Sequence, residues 1–178
     1  VNLTNGILEY LPSLVNGVFA AGLGNASDSI LSRDGNFLYV SDSGGDMIHS
    51  YAFDVDGGLV PATTVNTDAG PGFLALHPTL PVLYSANSAN TINTFTTGAG
   101  GVLVPLGPSV PTVTGVRQIL VDPSGDFLFA YETQGEIHAY SVGATGELTF
   151  LASYDFFELT SPRDAQVVPA LVLDEPLP

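Results

Sequence analysis

Three stretches of this chain are copies of one another. Ser32-Arg33-Asp34-Gly35-Asn36-Phe37-Leu38-Tyr39-Val40, His77-Pro78-Thr79-Leu80-Pro81-Val82-Leu83-Tyr84-Ser85 and Asp122-Pro123-Ser124-Gly125-Asp126-Phe127-Leu128-Phe129-Ala130 align without gaps. Their aromatics Tyr39, Tyr84 and Phe129 advance in two steps of 45 residues. Ile48, Ile92 and Ile137 correspond further on, as do Tyr51, Phe95 and Tyr140. Each copy closes on a turn: Asp56-Gly57-Gly58-Leu59, Ala99-Gly100-Gly101-Val102 and Thr145-Gly146-Glu147-Leu148. A repeat of this length confines the chain to architectures that stack equal units, because one unit alone cannot bury its apolar faces.

Inside each unit the apolar residues alternate with period two over short runs bounded by Gly, Asn, Asp and Pro, which predicts strands. The middle copy predicts strands at Phe73 to Leu76, Val82 to Ala86, Thr91 to Thr96 and Val102 to Leu106. No helical period is sustained, and β-branched and aromatic residues fill the runs. Four antiparallel strands in about 45 residues form a β-propeller blade. The expected fold class is therefore all-β, a propeller-like array with blades at about 28–64, 72–107 and 116–152. Gly6-Ile7-Leu8-Glu9-Tyr10-Leu11-Pro12 matches a fourth strand, and Arg163-Asp164-Ala165-Gln166-Val167-Val168-Pro169 a first strand. Residues 1–178 are expected to form a single partial propeller domain, with partial blades at 1–12 and 162–169 and a tail at 170–178.

Composition excludes several partners. The chain has 178 residues, and its 18 acidic against three basic residues leave a net charge of −15. Arg33, Arg117 and Arg163 cannot build the basic stripe that a nucleic acid or an anionic membrane requires. No apolar run is long enough for a membrane helix, so no membrane insertion is expected. Without cysteine there is neither a disulfide framework nor a thiolate nucleophile. The acidic, lysine-free composition predicts an extracellular or periplasmic protein. The N-terminus lacks Met and a signal-like run, and reads as that of a mature chain or of a piece of a longer one.

Two phrases, Leu38-Tyr39-Val40-Ser41-Asp42-Ser43-Gly44-Gly45-Asp46-Met47-Ile48 and Leu83-Tyr84-Ser85-Ala86-Asn87-Ser88-Ala89-Asn90-Thr91-Ile92, resemble the tyrosine-valine-threonine-asparagine repeats of surface propellers. With Gly115-Val116-Arg117-Gln118-Ile119-Leu120-Val121-Asp122-Pro123-Ser124-Gly125, they resemble the seven-bladed lactonase family, which includes 6-phosphogluconolactonases. The resemblance covers nearly the whole chain, which supplies about half of seven blades. It implies a Gly-Pro-Arg-His motif on the first strand, with Arg and His facing a central channel. Val116-Arg117-Gln118 and Pro162-Arg163-Asp164 keep the Arg and lack the His, and Ser29-Ile30 and Leu74-Ala75 are matched to the same place in the other copies. Lactone opening needs a base or an activated water as well as stabilisation of an oxyanion. Arg117 and Arg163 could supply the second role, and no His supplies the first.

The main expectation is thus a non-catalytic secreted or periplasmic module that serves as a binding or assembly scaffold. A lactonase-like hydrolase of a sugar lactone and a calcium-dependent surface adhesion or filament protein are the alternatives. Arg117 and Arg163, with Tyr131 and Glu132 as channel neighbours, are the expected ligand-binding residues and the only catalytic candidates. Their alternative role is to pair with Asp122 or Asp164. Asp54 and Asp56 alternate like the donors of a calcium loop without a closing Glu, and the stretch reads chiefly as a hairpin turn, so no cofactor is expected and calcium is the alternative. His49 and His138 share a repeat position with Asn93, and His77 stands in a turn, which gives no zinc-ligand spacing. Asn2-Leu3-Thr4 and Asn25-Ala26-Ser27 fit the glycosylation pattern. Open blade edges recruit further strands, so the chain is expected to form a homo-oligomer or to meet the remainder of a longer propeller. The charge of −15 opposes tight self-association unless it is screened.

Overall fold

The computed structural model describes residues 23–155 except Asp56, and two N-terminal strands, β1 (Asn2–Thr4) and β2 (Ile7–Glu9), paired with each other antiparallel. Arg163, Asp56, the segment expected at 162–169 and the tail at 170–178 lie outside the described residues.

The three repeats are three antiparallel blades. The first runs β3 (Ala26–Leu31), β4 (Phe37–Asp42), β5 (Met47–Phe53), β6 (Leu59–Asn66) in spatial order. The second runs β7 (Pro71–Leu76), β8 (Val82–Asn87), β9 (Thr91–Thr97) and then a divided outer strand, β10 (Leu103–Pro105) and β11 (Val110–Pro111), both paired with β9. The division follows from chemistry between them: Gly107 sits at φ 71°, and Pro108 has no N–H to give to a ladder. The third runs β12 (Val116–Val121), β13 (Phe127–Glu132), β14 (Glu136–Val142), β15 (Leu148–Asp155). The turn before each third strand requires a left-handed residue, and Asp46, Asn90 and Gly135 supply it at φ 54°, 60° and 88°. These are residue types that tolerate that conformation best.

The first strands β3, β7 and β12 lie side by side, with β7 in the middle. Each carries a bulge one residue in, between Ala26 and Asp28, Pro71 and Phe73, and Val116 and Gln118. The bulge residues Ser27, Gly72 and Arg117 are therefore equivalent. This corrects the match of Arg117 to Ser29 and Leu74: the structural counterparts of Arg117-Gln118 are Ser27-Asp28 and Gly72-Phe73. The bulges fall at the same place in all three copies, so the 45-residue step of the aromatics gives this match directly, and the match to Ser29 and Leu74 departs from that step by two residues.

Blades interlock in a fixed sense. Tyr39 and Ile48 of the first pack with Leu74, Leu83, Phe95 and Leu103 of the second. Tyr84 and Ile92 of the second pack with Ile119, Leu128 and Tyr140 of the third. Each buried aromatic contributes about 2–3 kcal/mol by removal from water. The next blade answers with glycine. Gly101 sits against Phe37, and Gly146 against Val82, so close that a Cβ would come within 2.6 Å and 2.8 Å of those side chains. The Tyr84 hydroxyl donates to the Gly146 carbonyl at 3.0 Å, and Ser50 to the Gly101 carbonyl at 2.7 Å. On the third blade the corresponding face is uncovered: Leu120, Phe127 and Tyr131 are exposed beside Phe129.

Candidate functional site

At one end of the array the inner strands begin and the turns between second and third strands converge. Their bulges and turns line a cleft of about 520 Å³, with hydroxyls from Ser27, Ser43, Ser88 and Thr133 and bare backbone at Gly70, Gly72 and Gly115. Val116 lines the same cleft, and Arg117 follows it on the bulge, exposed. Arg117 makes no hydrogen bond or ion pair among the described residues. Asp122, the proposed internal partner, spends its carboxylate on Ser124 and on the Phe127 N–H in the turn at the far end of β12. An exposed guanidinium with no partner among the described residues, one position along the strand from a cleft lined by hydroxyls and bare backbone, can hold a carboxylate or phosphate, or stabilise an oxygen that gains negative charge.

Behind this mouth, each blade carries a polar pair joining the end of its second strand to its third: Asp42 with His49, Asn87 with Asn93, and Glu132 with His138. Asp42 accepts the N–H groups of Gly24 at 2.8 Å and Asn25 at 2.6 Å, with the His49 Nε2 at 3.5 Å. Burial pushes the Asp42 carboxyl up, but the N–H groups of Gly24, Asn25, Gly44 and Gly45 outweigh it and hold it below its ordinary value. Asn87 donates to the Asn93 side-chain oxygen at 2.8 Å, and that oxygen also takes the Asp68 N–H. Glu132 accepts the N–H groups of Val113 and Thr114, the Thr114 hydroxyl and the His138 Nδ1–H, at 3.2, 2.7, 2.7 and 2.9 Å. Each pair thus ties the loop that enters an inner strand. Burial, and then the Glu132 charge, push the Tyr140 hydroxyl up to about 12.

The opposite end is held differently. Arg33 donates to the carbonyls of His77 at 2.9 Å, Thr79 at 2.6 Å and Leu80, joining the first blade to the second. His77 accepts the Thr79 and Leu80 N–H groups on Nδ1 and gives Nε2–H to the Gly125 carbonyl at 2.9 Å, joining the second blade to the third. Arg33, Asp34, Thr97 and Gly98 border a second cleft there, of about 660 Å³.

The expected site residues do not gather in one place. Arg117 is exposed at the inner strand, and Arg163 lies outside the described residues. Tyr131 and Glu132, adjacent on β13, point to opposite sides as strand residues must. Tyr131 lies 42% exposed on the uncovered face, in a cleft of about 210 Å³ with Gln118, Leu120, Phe129 and Ile137. Glu132 is fully buried and serves the loop rather than a channel. Asp54 accepts the Gly58 N–H at 2.6 Å within its own turn, and Asp56 lies outside the described residues. Sequence reasoning missed the pairing of the Asp42, Asn87, Glu132 column with the His49, Asn93, His138 column. Both columns are polar in all three copies, and that was the available signal.

A family model described as Lactonase, 7-bladed beta-propeller matches residues 28–170. The fold is similar to that of a Bacteroides fragilis protein assigned as a 6-phosphogluconolactonase, at 26% identity and a TM-score of 0.69 over 76% of this chain and 40% of that one. It is also similar to a periplasmic gluconolactonase of Pseudomonas aeruginosa, at 20% identity and 0.67, over 73% of this chain and 39% of that one. A functionally unknown protein of Desulfotomaculum acetoxidans is similar at 19% and 0.67, over 74% and 43%. No curated protein sequence matches the chain. The chain spans about 40% of the length of the first two of these structures. The family match overturns the expectation of a non-catalytic scaffold, which gave too much weight to a missing His in a four-residue motif. The findings favour the hydrolase alternative instead. With its repeat and blade architecture in agreement with that match, the chain belongs to the seven-bladed β-propeller lactonase family.

Proposed function

We propose that this chain forms part of a hydrolase that opens sugar lactones, and that the cleft beside Arg117 is its substrate side. The match over residues 28–170 carries the reading. Arg117, exposed on the inner strand and without a partner among the described residues, supports it. In the reaction, water adds to the lactone carbonyl carbon and the ring carbon–oxygen bond breaks. The ring oxygen leaves as a hydroxyl after taking a proton, and the product is a hydroxy acid. Arg117 meets the oxygen that gains charge in the transition state and afterwards the product carboxylate. The buried Glu132 and His138 are not its base, since both face the protein.

The reading includes further blades, docked on the uncovered third-blade face and supplied by another copy or by the rest of a longer propeller. It also includes the periplasmic or extracellular location expected from composition, for which the Pseudomonas aeruginosa structure is a precedent. Glucono-lactone and 6-phosphogluconolactone, compared with their spontaneous hydrolysis, are the substrates to assay. Arg117→Ala is expected to lower kcat/KM by about 100-fold, the scale of one lost oxyanion donor. Wild-type hydrolysis no faster than the blank would sink the reading, and full activity in the variant would remove Arg117 from it.

A further inference from the structure

The two joints between the described blades treat their buried tyrosines differently. At the second joint the Tyr84 hydroxyl donates to the Gly146 carbonyl at 3.0 Å. Tyr39 is the counterpart of Tyr84 one repeat earlier, and Gly101 is the counterpart of Gly146. The Gly101 carbonyl, however, is already taken by the Ser50 hydroxyl at 2.7 Å and the Thr63 hydroxyl at 3.3 Å. Tyr39 is 1% exposed, and its hydroxyl makes no hydrogen bond among the described residues. Buried polar groups are nearly always paired, so this one calls for an explanation.

Tyr39 lines the cleft of about 660 Å³ at the end of the array opposite Arg117, together with Arg33, Asp34 and Thr97. The charges there are already committed. Arg33 gives its guanidinium to the carbonyls of His77, Thr79 and Leu80. Asp34 accepts the Ser32 hydroxyl at 2.6 Å, the Asn36 N–H at 3.1 Å and the Asn36 side-chain amide at 2.7 Å. What stays open is neutral: the hydroxyls of Tyr39 and Thr97 and the side-chain oxygen of Asn36, none with a partner among the described residues. Burial, and then the Asp34 charge, hold the Tyr39 hydroxyl above its ordinary value, so it keeps its proton and stays a donor. Phe37, Leu76 and Pro81 supply apolar wall between these polar atoms.

We propose that this cleft binds a neutral sugar ring, with the Tyr39 hydroxyl donating to one of its oxygens and Thr97 and Asn36 meeting its other hydroxyls. A pyranose matches the open groups, because its hydroxyls both donate and accept and its C–H faces lie against apolar side chains such as Phe37 and Leu76. The volume falls within the roughly 300–1,000 Å³ of small-molecule sites. An anion is disfavoured by the net charge of −15 and by the commitment of Arg33 to backbone carbonyls. A cation finds the Asp34 carboxylate already satisfied. The second joint offers no equivalent donor, since Gly146 holds the Tyr84 hydroxyl. The site goes beyond the lactone reading and does not depend on it.

Saturation-transfer NMR of the whole chain with glucose, galactose and mannose tests this site without any turnover. At least one of the three is expected to receive signal from the protein. Tyr39→Phe removes a hydroxyl that has no partner among the described residues, so the melting temperature is expected to stay unchanged. The same variant is expected to weaken that sugar's binding by about fivefold, the scale of one neutral hydrogen bond. Thr97→Val is expected to act in the same direction, and Arg117→Ala to leave binding as it is. No transfer to any of the three sugars, or unchanged affinity in Tyr39→Phe, would overturn the proposal. Loss of binding in Arg117→Ala would overturn it too, by placing the sugar at the other end.

Discussion

At the scale of single residues, the joints between blades depend on atoms that are not there. Gly125 sits at φ 84°, and a Cβ on it would come within 2.4 Å of the His77 Cε1. His77 cannot step aside, because three backbone groups of two blades hold its ring. Gly125→Ala therefore meets both an unfavourable backbone conformation and a clash, and is expected to lower stability by about 2 kcal/mol. Urea unfolding checks this, and a change under about 0.5 kcal/mol would mean the joint is loose. Gly35, in the equivalent turn of the first blade, has the same sign of φ but open space around it. Gly35→Ala should show the conformational part of that loss alone. The sequence marks both positions equally as Asp-Gly or Ser-Gly turns. Only the packing of His77 separates them, and no local pattern encodes that.

The strand elements were legible because each had a periodic run and a breaker on either side. The second-blade outer strand was read only in part: β10 falls within the expected Val102 to Leu106, but the return of the chain to β9 at Val110, after Gly107-Pro108, was not expected. The polar site was harder to read than the strands. His49, His138 and Asn93 were visible as one column, but their partners stand at the end of a different strand. The pairing becomes evident only when the register brings Asp42, Asn87 and Glu132 alongside. Arg117 was legible as an inner-strand residue through the family motif, while its bulge was not. At this scale the hydroxyls of the repeated tyrosines differ in use. Tyr84 donates to Gly146 at 3.0 Å, whereas Tyr140 meets the Pro111 carbonyl only at 3.5 Å. Tyr84→Phe is expected to destabilise by about 1 kcal/mol and Tyr140→Phe by distinctly less. Thermal unfolding of the two variants side by side decides it, and equal losses would contradict the geometry.

For the whole molecule, two opposed properties meet: a net charge of −15 and an exposed apolar face on the third blade. Leu120, Phe127 and Tyr131 stand where the two preceding interfaces bury their counterparts. Light scattering is expected to give a mass that rises above 18.4 kDa with concentration and with added salt, which screens the charge. Leu120→Glu with Tyr131→Glu is expected to return it towards the single-chain value. A mass that neither salt nor substitution changes would rule this face out as a docking surface.

The interlocking of aromatic and glycine also gives the stack a direction. Every described joint is read the same way, a bulky residue handed forward and a bare backbone turn handed back. Phe127, the counterpart of Phe37 and Val82, is the last bulky residue offered in that order among the described residues. A newcomer of the same design is admitted only if its own turn between third and fourth strands is stripped of a side chain at one position. The apolar contacts hold any such neighbour, but a single missing methyl group decides which turn can be admitted to them.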